Sequence, residues 1–204
     1  MDHVNLDKLS KLSEGNYSAF LYDCDGTLAD NMPAHTDTYV QTAKGYNLDM
    51  DPHIITELAG WPIADVVAEL NKRYSSQIDP EEFRRKKADL YASKYIKAVR
   101  PIEYVVQHLK NHAGIVRIGV VSGGDRSAVE ATLKVLGIFD LIDVTVCAGD
   151  TNFGKPYPDP FLKAAELLKV DPETCLVFED GAPGVESAKA AGMDWIRIDE
   201  LVKG

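Results

Sequence analysis

Two spacings of apolar residues alternate along this chain, and the switches between them divide it into parts. Leu6, Leu9 and Leu12 recur every third position and predict a short helix over 3–13. The run Ala19-Phe20-Leu21-Tyr22 is continuous and too brief for a helix, which predicts a buried parallel strand. From Met32 to about Val99 only helical spacing occurs, over 33–45, 51–59, 62–73 and 80–97. Pro33, Pro52, Pro62 and Pro80 each stand near the start of one segment, where a missing N–H costs little, and Gly45 and Gly60 mark two breaks. After Arg100-Pro101 the pattern changes again. Helices are predicted over 101–112, 125–136, 159–169 and 181–191, and strands over 115–121, 144–148, 175–178 and 195–198. Repeated β-α-β units predict an α/β fold with a doubly wound parallel sheet and right-handed crossovers. The expected division is a Rossmann-like core of residues 1–31 and 99–204 with an inserted helical bundle of 32–98.

Composition narrows the class of partner. With 204 residues, 45% of them hydrophobic, the chain can bury one large core or a core with a smaller inserted module. The formal charge of -10 argues against nucleic acid or an anionic membrane as partner. It also requires that any anionic substrate be met by local cations. Cys24, Cys147 and Cys175 lie in or beside apolar runs, which predicts buried reduced thiols rather than disulfides or a zinc site. The first sixteen residues are too polar for a signal peptide, and no apolar run approaches a membrane span, so a cytoplasmic location is expected.

The first strand ends in Asp23-Cys24-Asp25-Gly26-Thr27-Leu28-Ala29-Asp30. Side chains at the carboxyl ends of such strands point into the crevice where open α/β sheets bind ligands. Two carboxylates this close ask for a divalent cation or a shared proton, unless both are solvated caps of the next turn. Gly26 permits a backbone turn that a Cβ would resist. Three more polar clusters follow later strands. Ser122-Gly123-Gly124, at a helix entry, is either an anion cradle of hydroxyl and backbone N–H groups or a plain turn. In Gly154-Lys155-Pro156-Tyr157-Pro158-Asp159 the lysine sits in an extended geometry that can aim its amine over the sheet, or it is a solvated surface charge. Gly149 to Lys155 has the spacing of a nucleotide-binding P-loop, but Pro156 stands where that motif needs Ser or Thr, so this reading is rejected. Glu179 and Asp180 form a good pair for an oxygen-seeking cation such as Mg²⁺, or else an acidic helix cap. His108 and His112 have the spacing of a metal pair but lack a third ligand nearby.

Taken in order, these clusters resemble the four motifs of the haloacid dehalogenase superfamily of aspartate-nucleophile phosphotransferases, over nearly the whole chain. Asp23 to His35, Gly154 to Asp159 and Glu179 to Gly184 are most similar to its β-phosphoglucomutase-like branch, which includes sugar-phosphate phosphatases. The resemblance implies that the inserted helices form a cap and that Asp23 is the nucleophile, with Asp25 as general acid/base. It implies phosphate binding by Ser122, Gly123 and Lys155, and Mg²⁺ binding by Asp23, the carbonyl of Asp25, Glu179 and Asp180. His35, Trp61 and Lys87 would be the substrate-facing residues of the cap. Family mutases carry an arginine in the first cap loop, whereas this chain has Gly60-Trp61-Pro62-Ile63-Ala64. That departure favours a phosphatase acting on a small phosphorylated metabolite, as a monomer. The alternatives are a phosphosugar mutase or a non-catalytic regulator that binds a phosphorylated ligand.

Overall fold

The computed structural model of the chain describes residues 2–58 and 61–201. In chain order the elements are α1 (Asp2–Leu12), β1 (Ala19–Tyr22), β2 (Ala29–Asp30), α2 (Met32–Lys44), α3 (His53–Glu57), α4 (Ile63–Tyr74) and α5 (Pro80–Leu90). After a π-helical turn at Tyr91–Tyr95 and a 3-10 turn at Ile96–Ala98 come β3 (Arg100–Pro101), α6 (Glu103–His112), β4 (Arg117–Val121) and α7 (Arg126–Val135). The remainder is β5 (Val144–Val146), α8 (Asp159–Leu168), β6 (Cys175–Glu179), α9 (Ala182–Ala190), β7 (Asp194–Arg197) and α10 (Ile198–Leu201).

The chain divides into two compact units, residues 1–30 with 99–204 and residues 31–98. Asn31 therefore goes with the helical unit, one residue earlier than the sequence pattern suggested. In the larger unit five parallel strands run in the order β5-β4-β1-β6-β7, the doubly wound arrangement expected. β1 lies at the centre, and all four of its residues are buried, which accounts for its unbroken apolar run. One face of the sheet packs Leu21, Val121 and Val177 against Phe161, Ala164, Ala165 and Leu168 of α8 and Ala188 of α9. The other face is aromatic. There Phe20, Tyr22 and Phe178 meet His108 of α6, with ring centroids 4.4–6.2 Å apart. Cys24, Cys147 and Cys175 are all free and buried.

Several short features differ from the sequence expectation. β2 and β3 form a two-stranded antiparallel ribbon, Ala29 with Pro101 and Asp30 with Arg100. Strands of two residues show no periodicity, so the pattern could not reveal them. The helix expected over 80–97 ends at Leu90 and widens into the π-helical turn. α10 was not anticipated; at Ile198–Leu201 it is a single turn. In the helical unit Ala43, Leu48, Ile54, Val66, Val67, Leu70 and Phe83 share a core of their own. Its α5 begins as the sequence predicts, with Pro80 in the first turn and Asp79 accepting from the Glu82 N–H at 2.7 Å. Gly60 and the last residue of the helix expected over 51–59 lie outside the described residues. No helix among the described residues is long and apolar enough to cross a membrane.

His108 explains one sequence observation and gives a pH prediction. It is fully buried, its Nδ1 2.8 Å from the Tyr22 hydroxyl and its Nε2 2.8 Å from Ser13 Oγ, so it is a satisfied core residue and not half of a metal pair. Burial, and then neighbouring His112, push its pKa down from 6.5 to about 3. The unfolded chain therefore takes up a proton at His108 that the folded chain refuses. The stability this residue contributes is complete above pH 6.5 and drains away as the pH falls towards 3. The expected slope is about 1 kcal/mol per pH unit across that window. Urea unfolding midpoints measured across it should fall more steeply for the wild type than for His108→Gln; parallel slopes would contradict the assignment.

Candidate active site

β1, β4 and β6 are neighbours in the sheet, and three of the four polar clusters leave from their carboxyl ends. Asp23 follows β1 directly, and its N–H donates to the Phe178 carbonyl at 2.9 Å, which extends the sheet by one rung. Gly26 then turns the chain with φ at +88°, where a Cβ would also overlap the carboxylate of Asp180. A backbone this close to Asp180 is possible only for glycine. Thr27 is fully buried and directs Oγ1 at Asp180 Oδ1 from 3.5 Å, at the limit of hydrogen-bonding range.

Lys155 supplies the counter-charge. Its ammonium lies 2.7 Å from Asp23 Oδ1, 2.5 Å from Glu179 Oε1 and 2.8 Å from the Val121 carbonyl. All three protons of the amine thus have an acceptor. The peptide bond between Lys155 and Pro156 is cis, and Ser187 of α9 donates to the Tyr157 carbonyl at 2.5 Å. Lys155 is therefore an inward-facing residue and not a surface charge. The other oxygen of Glu179 accepts from the Gly181 N–H at 3.1 Å. Gly184 leaves room for this carboxylate, because a Cβ there would overlap it.

Carboxylate oxygens of Asp23, Glu179 and Asp180 all lie within 4.8 Å of one another. Burial, and then Glu179, Asp180 and Asp25, push the Asp23 carboxyl well above the usual carboxylate range, against the pull of Lys155. Burial and the charge of Glu179 push Asp180 up to about 6. Burial alone would lower Lys155, but Asp23 and Glu179 outweigh it and hold the amine above the ordinary lysine range. One ammonium among three acids leaves surplus negative charge in a buried place. An all-oxygen donor set with that surplus fits a hard divalent cation.

The remaining site residues fall in three places. Ser122 follows β4, and its Oγ accepts from the Gly124 N–H at 3.0 Å. Gly123 is open on its Cβ side, while a Cβ at Gly124 would stand 3.6 Å from Asp25 Oδ2. The carboxylate of Asp25 thus faces the Ser122 loop and is not one of the three that cluster. In the helical unit His35 stacks on Tyr91 with centroids 4.4 Å apart, and Lys87 Nζ lies 3.4 Å from His35 Nδ1. Trp61 lies half exposed just before α4. Sequence reasoning missed Thr27 and the Val121 carbonyl. Thr27 had a signal, since it falls two residues after Asp25 in the turn; a main-chain acceptor has none.

Comparison with known proteins follows the same lines. A family model described as haloacid dehalogenase-like hydrolase matches residues 17–192. The fructose-1-phosphate phosphatase YqaB of Escherichia coli is 32% identical over 185 residues, covering 89% of this chain and 96% of that protein. Hexitol phosphatase A of the same organism is 29% identical over 180 residues, covering 88% and 82%. Among solved structures, CbbY of Rhodobacter sphaeroides in complex with phosphate superposes with a TM-score of 0.79 at 22% identity, over 89% of this chain and 85% of that one.

Proposed function

This chain belongs to the haloacid dehalogenase-like hydrolases, and we propose that it is a Mg²⁺-dependent phosphatase of small phosphomonoesters, carrying the phosphoryl group on Asp23 between two half-reactions. The observation that carries this reading is the meeting of Asp23, Lys155, Glu179 and Asp180, brought from distant parts of the chain. Relatives named as a fructose-1-phosphate phosphatase and a hexitol phosphatase support a sugar or polyol phosphate as substrate.

Asp23, Asp180 and the main-chain oxygen of Asp25 would hold the cation, with Glu179 adding charge beside them. When bound, Mg²⁺ supplies the positive charge that lets an anionic carboxylate approach an anionic phosphate. A carboxylate oxygen of Asp23 attacks phosphorus, the bond from phosphorus to the ester oxygen breaks, and an aspartyl-phosphate forms. Asp25 gives its proton to the departing alkoxide. It then takes a proton from water as that water attacks phosphorus, which releases inorganic phosphate and restores Asp23. Lys155, Ser122 and the N–H of Gly123 hold the phosphoryl oxygens as charge builds on them. Lys87, His35 and Trp61 of the helical unit are proposed as residues that set substrate specificity. A monomeric, cytoplasmic enzyme with neither nucleic acid nor membrane as partner completes the proposal.

Phosphate release from a panel of sugar, polyol and nucleotide monophosphates, with Mg²⁺ and with chelator, tests it. Sugar or polyol phosphates should be hydrolysed in Mg²⁺ and not in chelator. Hydrolysis unaffected by chelator, or no hydrolysis of any ester by the folded protein, would contradict the proposal.

A further inference from the structure

Beneath the acidic cluster, on the face of the sheet that packs against α6, runs a polar chain that the reaction above does not use. Ser13 Oγ donates to the Ser10 carbonyl at 3.0 Å. With its proton committed there, Ser13 can only accept from His108 Nε2, 2.8 Å away. Nε2 therefore carries the imidazole proton, and Nδ1 accepts from the Tyr22 hydroxyl at 2.8 Å. Tyr22 to His108 to Ser13 to Ser10 is a one-way chain in which each proton is used once. Tyr22 and His108 are fully buried and Ser13 nearly so. A hydroxyl or imidazole left unpaired in such a place is costly, so the chain fixes the Tyr22 ring.

That ring stands at a consequential point. Tyr22 immediately precedes Asp23 and pairs in register with Phe178, which immediately precedes Glu179. The two rings stack with centroids 4.4 Å apart and planes 10° from parallel. Beside them the Asp23 N–H bonds to the Phe178 carbonyl. The stacked pair thus sits on the rung from which all three clustered carboxylates depart. We propose that His108, with Ser13 behind it, is a positioning residue for the metal-binding carboxylates: by holding Tyr22 on Phe178 it keeps the ends of β1 and β6 in the alignment that lets Asp23, Glu179 and Asp180 share a cation. Ser13 lies outside residues 17–192 matched by the family model, so the device draws on a part of this chain that the family pattern does not cover. The inference rests on the metal-binding reading of the three acids.

Calorimetric titration of the full-length protein with MgCl₂, well below its unfolding temperature, tests the inference apart from turnover. Tyr22→Phe combined with His108→Leu removes both partners and leaves no polar group unpaired, so stability should stay near wild type. Ser13→Ala, a one-atom truncation behind the imidazole, is the second variant. The wild type should bind one Mg²⁺, and both variants should bind it about 3- to 10-fold more weakly at unchanged stoichiometry, short of the loss seen when groups bonded directly to ligands are removed. Wild-type affinity in the folded double variant would overturn the positioning role and leave the chain as packing. No Mg²⁺ binding by the wild type would overturn the metal reading itself, and the inference with it.

Discussion

Asp23→Asn is expected to abolish turnover while leaving the fold intact. The substitution keeps the size of the side chain and removes only its charge and nucleophilicity. Loss of an enzyme's nucleophile lowers kcat by about 10⁴-fold or more, because the atom that accepts the transferred group is no longer there. The effect on stability should run the other way. Burial and three neighbouring acids oppose ionisation of Asp23 and outweigh the pull of Lys155, so a neutral amide relieves repulsion. Its oxygen can still accept from Lys155, which keeps Glu179 as its counter-charge. Thermal unfolding of the variant, measured without metal, should therefore occur at the wild-type temperature or above it. A folded variant that retained the wild-type rate would falsify the role of Asp23. A variant that folded poorly would contradict the claim that charge at this site works against the fold.

The second large effect is expected from Lys155→Met. Methionine fills much the same volume but leaves Asp23 and Glu179 without the ammonium that touches both. The three side chains are only 4–12% exposed, so water cannot replace the lost partner. Breaking a buried ion pair in this way costs about 3–5 kcal/mol. The cost should depend on pH with a definite sign. Lys155 is what pulls the raised Asp23 carboxyl back down. Without it Asp23 holds its proton more tightly in the folded chain than in the unfolded one, and the folded state binds more protons. Stability of the variant then rises as the pH is lowered towards the raised values, and the gap to wild type narrows. Urea unfolding of both proteins at pH 7 and pH 5 checks this. An equal gap at the two pH values would show that Lys155 contributes through packing and not through charge.

What the sequence revealed and what it withheld divide along physical lines. The core strands were legible because a strand buried on both faces has to be apolar throughout, as Ala19–Tyr22 is. The acidic cluster was legible because each of its members sits where an apolar run stops. Asp23 follows Tyr22, and Glu179-Asp180 follow Phe178. Lys155 was ambiguous in isolation. Its inward direction depends on the geometry of its loop and on acceptors 24 and 132 positions away. Gly184 could be seen as a residue but not as a space, since what it accommodates is the carboxylate of Glu179. His108 shows the same limit more sharply. Its spacing from His112 was that of a metal pair with no third ligand, and its actual partners, Ser13 and Tyr22, lie 95 and 86 positions away. Periodicity reports which face of an element is buried; it does not report which polar atom on another element will meet it there.

The claim on which the account turns is that phosphorus becomes bonded to Asp23. Acid quenching of the enzyme during steady-state hydrolysis of a good substrate in Mg²⁺, followed by peptide mass spectrometry, measures this directly. A phosphoryl group is expected on the peptide containing Asp23, absent from the Asp23→Asn protein and lost on incubation at neutral pH. A phosphoryl group found on any other residue, with Asp23 unmodified during rapid turnover, would contradict it.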